Sequence, residues 1–95
     1  MIMAYRIETT KRVDKELASI AKSGNKSLVK KIEDLFIEIA DHPRTGTGQV
    51  EQLKHYPYKQ TWSRRLNHEY RLVYEIHDDI VVVLVISLMD HYGEK

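Results

Sequence analysis

Residues 60–88, QTWSRRLNHEYRLVYEIHDDIVVVLVISL, decide the fold. Tyr70, Leu72, Tyr74 and Ile76 alternate with Arg71, Val73, Glu75 and His77, the two-residue period of a strand with two distinct faces. Gln60 to Leu66 reads as the strand before it. Ile80 to Leu88 is a continuous Val/Ile/Leu run, expected of a strand buried on both faces in the middle of a sheet. Asp78-Asp79 marks a tight turn. If Asn67-His68-Glu69 joins two antiparallel strands, Arg65 faces Arg71 and Ser63 faces Val73 on one side. Leu66 then meets Tyr70, and Trp62 meets Tyr74, on the other. Two arginines directly across a ladder repel each other. A fold tolerates them where an anion or a nearby carboxylate lies between.

Working outward, Val50 to His55 reads as a further short strand and Tyr56-Pro57-Tyr58 as its turn. Before it, PRTGTGQ (43–49) is loop, with two glycines, two threonines and a proline. The period upstream is near 3.6. Leu28, Ile32, Leu35, Phe36 and Ile39 form one stripe of a helix that starts near Ser27 and closes at His42-Pro43. Val13, Leu17, Ile20 and Ala21 form the stripe of another, capped by Thr9 or Thr10 and interrupted by Gly24-Asn25. Residues 2–8 read as a strand. The expected order is β-α-α-β-β-β: an α+β architecture with a helical hairpin on a mostly antiparallel sheet.

Ninety-five residues leave room for one domain. A composition of 42% hydrophobic and 31% charged residues is that of a globular chain rather than a disordered one. The absence of cysteine excludes disulfides, thiolate metal sites and a cysteine nucleophile. MIMAYRIETT shows no secretory signal, and the apolar run after Ile80 is too short to span a bilayer as a helix, so a cytoplasmic protein without membrane attachment is expected. The net charge of +1 divides into +2 over residues 1–40, +3 over 41–71 and −4 over 72–95. Any polyanion contact is therefore local and drawn from the middle of the chain.

The residues able to do chemistry are Glu51, Lys54, His55, Arg65, Arg71, His91 and Tyr92. Arginine suits phosphate because its planar fork donates parallel hydrogen bonds. A glutamate can accept a proton, and a histidine can serve as acid or base. Together they suit cleavage of an RNA phosphodiester with no metal or other cofactor. Each also has a plainer reading. Glu51 alone could be a solvated charge, Arg64-Arg65 a surface pair, Arg71 a salt-bridge partner and His91-Tyr92 an ordinary tail. His42, His68 and His77 read as structural or solvated, with no zinc spacing, and Trp62 and Phe36 as core.

EQLKH from Glu51, WSRRLNHEYRLVYEI from Trp62, DDIVVV from Asp78 and the His91-Tyr92 pair together resemble the YoeB/Txe family, mRNA interferase toxins of the RelE/ParE superfamily. The likeness extends more loosely through the helical hairpin, so it implies a single toxin domain over residues 1–95. It also implies the toxin of a type II toxin–antitoxin pair, an endoribonuclease that enters the ribosomal A site and cuts translated mRNA. By motif, Glu51 is the implied general base, Arg71 the transition-state stabiliser and His91 the general acid. Tyr92 would orient substrate or base, and Lys54 and Arg65 would bind phosphate. The implied partners are mRNA, the ribosome and a cognate YefM/Axe-like antitoxin whose acidic segment covers the Arg65/Arg71 face. A homodimer is plausible, and operator DNA would be reached only through the antitoxin.

Three features depart from the family pattern. Gly93-Glu94-Lys95 follow the His-Tyr pair, and Tyr70 stands where some relatives have histidine. Leu88-Met89-Asp90 lacks the basic residue common before His-Tyr, so weaker phosphate affinity or rate is expected. Two other readings stay open: a ParE-like gyrase poison, and a catalytically weakened RNA- or antitoxin-binding module.

Overall fold

Thr10 sets the first boundary. Its hydroxyl accepts a hydrogen bond from the Val13 amide, capping a helix, α1, that runs Lys11–Lys22. Gly24, at φ +82°, turns the chain, and the Asn25 side chain caps the second helix, α2 (Lys26–Asp41), through the Leu28 amide. Val13 and Ile20 of α1 and Leu28, Ile32, Leu35 and Ile39 of α2 are buried. Ala21, expected on the α1 stripe, is exposed in the last turn of the helix. Proline at 43 ends α2 one residue after Asp41, with His42 as its C-cap.

The computed structural model describes residues 4–91. Its strands are β1 (Arg6–Thr9), β2 (Glu51–Gln52), β3 (Thr61–Arg65), β4 (Tyr70–His77) and β5 (Val82–His91). They form one five-stranded sheet in the order β1-β5-β4-β3-β2. β1 lies parallel to β5, and every other pairing is antiparallel. The long elements keep the order β-α-α-β-β-β, with β2 as a two-residue edge strand ahead of the antiparallel three. The expected β3–β4 register holds residue for residue: Trp62 opposite Tyr74, Ser63 opposite Val73 and Arg65 opposite Arg71. Leu72, Tyr74, Ile76, Val83 and Val85 belong, with the helix stripes, to one buried core.

Four expectations change. The strand from Val50 shrinks to Glu51–Gln52, because Leu53 turns inward and the following bend is pinned elsewhere. The last strand begins at Val82, since Asp78 to Val81 form the turn and leave Ile80 exposed. Val81 takes φ +55°, a strained conformation for a β-branched residue. The central strand is β4, and β5 lies one position from the edge.

The fourth concerns Arg64, which is fully buried rather than a surface charge. Its five N–H donors meet five acceptors: Tyr74 Oη at 3.1 Å, Glu38 Oε1 at 2.5 Å, and the carbonyls of Thr47, His42 and Thr45 at 3.3, 2.6 and 2.8 Å. The glycine loop is thereby wrapped around a guanidinium. Gly46, at φ +124°, has no room for a side chain, since a Cβ there would stand 2.6 Å from Glu38 Oε1 and 2.9 Å from Arg64 Nη1. Tyr74 completes the cage by donating to the Pro43 carbonyl at 2.6 Å.

Candidate active-site cleft

The face of the sheet opposite the helices carries the site. Arg71 stands on β4, directly across from Arg65. Glu51, on β2, stands opposite Ser63, which in turn faces Val73, so Glu51 shares their face two positions along. After Gln52 the chain crosses this face as a pinned bend. The Leu53 amide donates to the Thr61 carbonyl at 2.8 Å, and Gln52 Nε2 to the Lys59 carbonyl at 3.0 Å. Tyr58 donates to the Ile76 carbonyl at 3.2 Å and stacks on His77 at 4.4 Å. This anchoring presents Lys54, His55 and Tyr56 as one wall of a cleft.

The opposite wall depends on an irregularity in β5. The register runs evenly from His77–Val82 to Tyr74–Val85, then shifts between Tyr74 and Val73 and again between Val73 and Arg71. An unbroken register would set Leu88 across from Arg71. The two shifts instead set Asp90 there and His91 across from Tyr70. The Leu88 amide lies within the irregular stretch and donates to Glu16 Oε1 of α1 at 2.7 Å, so the helix layer braces the strand where it departs from the ladder. His91 meets the Tyr70 ring edge-on at 5.3 Å between centroids.

The result is a cleft of about 980 Å³ lined by Glu51, Gln52, Leu53, Lys54, His55, Tyr56, Arg71, Asp90 and His91. Four of the expected site residues, Glu51, Lys54, Arg71 and His91, therefore line one space. Arg65 borders an adjoining groove with Lys31, Gln49 and His68, and its Nε donates to the Asn67 carbonyl at 3.2 Å. Tyr92 lies outside the described residues. His55, named among the residues able to do chemistry but given no specific role, also lines the cleft, whereas Tyr56 and Asp90 were not foreseen there.

Asp90 pairs with Arg71, its Oδ2 2.5 Å from Arg71 Nε, but it does so from β5, on the side of β4 away from Arg65, so this carboxylate flanks the facing arginines rather than lying between them. Burial works against the Arg71 charge. The Asp90 hydrogen bond and charge, with smaller help from Tyr56 and Glu51, outweigh it and hold the Arg71 pKa above the ordinary arginine value. Among the described residues no group of three or more His, Asp or Glu side chains could hold a metal ion. The donor set is thus two carboxylates, two cations and two imidazoles around one concavity. That set can remove a proton, stabilise an anion and return a proton.

A family described as the YoeB-like toxin of bacterial type II toxin–antitoxin systems matches residues 18–92. The toxin YoeB of Synechocystis is 42% identical over 71 residues, covering 75% of this chain and 79% of that protein. Among solved structures, the YoeB dimer from Staphylococcus aureus superposes with a TM-score of 0.80 at 30% identity, covering 94% of this chain and 99% of that one. The toxin chain matched in the YoeB–YefM complex of the same organism gives 0.75 at 31% identity, over 93% and 98% of the two chains.

Proposed function

The chain belongs to the YoeB-like toxins of bacterial type II toxin–antitoxin systems, and from that premise we propose that it is a ribosome-dependent endoribonuclease acting on translated mRNA in the cytoplasm. The observation that carries the reading is the meeting of Glu51, Lys54, Arg71 and His91 on one cleft, from three separate segments of the chain: β2 with the bend after it, β4 and β5.

In this reading Glu51 takes the proton from a ribose 2′-OH, and the 2′ oxygen attacks the adjacent phosphorus. Arg71, with Lys54 and the neighbouring Arg65, stabilises the pentacoordinate anion. His91, as imidazolium, gives its proton to the departing 5′ oxygen, while Tyr92 orients the reacting groups. The products are a 2′,3′-cyclic phosphate and a 5′-OH. Base, acid and anion stabilisers are all side chains, so no step calls on a metal ion. Glu51 and Lys54 are exposed at the rim of an open cleft. Such a cleft leaves substrate positioning to an outside scaffold, which is what the ribosomal A site would supply.

The partner that silences such a site would be a YefM-like antitoxin, an extended acidic segment covering the Arg65/Arg71 face and folding as it binds. Operator DNA would be contacted through that antitoxin, and a homodimer is compatible with the reading. The test is induced expression followed by mapping of 5′-OH ends. Translation arrest with cuts at ribosome-occupied codons, lost in Arg71→Ala and His91→Ala, supports the proposal. Replication arrest with intact mRNA would instead mark a gyrase poison. Full cutting by both variants would defeat the assignment of roles.

A further inference from the structure

The cleft that should hold an anion already holds one. Arg71 and Asp90 are a close pair with side chains only 18% and 25% exposed, so solvent screens them weakly. The pairing is built in by the backbone, because the β5 irregularity sets Asp90 across from Arg71. Glu16 holds that irregularity from the far side of the sheet. Glu51 and Asp90 offset Lys54 and Arg71, so any net positive charge in the cleft comes from His55 and His91. A polyanion-binding concavity whose two permanent cations are both offset calls for an explanation.

We propose that Asp90 is an internal counter-ion to Arg71 that sets the cleft's affinity for RNA phosphate low, and that an incoming phosphodiester must displace it or share Arg71 with it. This rests on the nuclease reading only for the identity of the ligand. Asp90 stands near the end of β5, partly open to solvent, so its carboxylate can swing out of the cleft without disturbing the core. The toxin would thus bind RNA weakly by itself, and discrimination would fall to whatever scaffold holds the strand against the cleft.

The substitution Asp90→Asn separates the counter-ion role from a positioning role. Asparagine keeps a side-chain oxygen for Arg71 Nε but removes the charge. The probes are inorganic phosphate and a short RNA carrying a 2′-deoxy sugar at the attacked position, which binds but cannot be cut. Affinities are read by calorimetry across a salt series, alongside the Arg71 Nε–H resonance. The expected result is binding about tenfold tighter in Asp90→Asn, from removing one like charge a few ångströms away in a partly solvated site. For the RNA, the log–log salt dependence should steepen by about 0.7, one further released counterion on a single strand. Arg71→Ala should erase the gain. Unchanged or weaker binding in Asp90→Asn overturns the proposal, the weaker case making Asp90 a positioning residue. Asp90→Ser gives a second neutral variant should the first not fold. Tighter binding with no mRNA cutting by the parent would sink the nuclease reading alone, and cutting without tighter binding would sink this one alone.

Discussion

Replacing Arg64 by methionine tests the internal wiring of the fold. Methionine fills much of the same volume but leaves Glu38 Oε1, Tyr74 Oη and three loop carbonyls without their shared donor. Breaking a buried pair by deleting one partner destabilises by about 3–5 kcal/mol, mostly because the remaining groups lose their compensation. The carbonyls sit on a loop whose residues His42, Thr45 and Thr47 are exposed, so water recovers part of that loss, and the lower half of the range is expected. For a domain of this size each kcal/mol moves the melting temperature by about 4–8 °C, so the variant should melt at least about 12 °C lower. Equilibrium urea unfolding should show a lower midpoint at unchanged slope. Amide exchange should accelerate first in residues 42–48. Arg64→Lys should recover less than half the loss, since an ammonium has three donors for five acceptors. A variant within about 1 kcal/mol of the parent would refute the view that this guanidinium holds the loop to the sheet.

Three further outcomes follow from the same structure. The Glu38 carboxyl is held below its ordinary pKa, chiefly by the Thr47 amide and then by the Thr47 hydroxyl and Arg64, against partial burial. Its contribution is therefore complete above the ordinary glutamate value of about 4.3 and is lost as pH falls toward the folded value, so Glu38→Gln should flatten the acid limb of a stability–pH curve. Glu16→Ala strands the Leu88 amide and should lower stability by about 1–3 kcal/mol in urea, with Glu16→Gln close to the parent. Val81→Asn, at φ +55° in the turn before β5, should raise stability by about 0.5–1 kcal/mol in the same assay, because asparagine tolerates that conformation and valine does not.

The parts of this molecule that could be read from sequence are those with a local cause. Thr10, Gly24-Asn25 and His42-Pro43 mark helix ends because capping and proline geometry act within a few residues. The β3–β4 register followed from a short turn between two alternating segments, where a one-residue slip would turn the apolar set to the wrong face. What could not be read depends on distant partners. Arg64 is buried because of Glu38 and a loop some twenty residues away, and nothing beside it announces that. The β5 shifts fall in an almost unbroken apolar run, which has no alternation to betray a change of face. The cleft was half legible for the same reason. Glu51, Lys54, Arg71 and His91 could be named from residue chemistry and family likeness, but Asp90 enters only through the irregular register. The bend that brings His55 and Tyr56 was hidden by contacts to Ile76 and His77.

The parallel pairing of β1 with β5 has a consequence for how the protein is made. The first strand joins the rest of the sheet only through Val82 to His91, the segment synthesised after every other strand. A nascent chain lacking that segment lacks the bridge between β1 and β4, and with it Asp90 and His91. The cleft, which takes Asp90 and His91 from β5, thus cannot assemble until β5 has emerged from the ribosome producing it. The order of strands therefore sets an interval, governed by elongation itself, between the emergence of the first strand and the completion of the cleft.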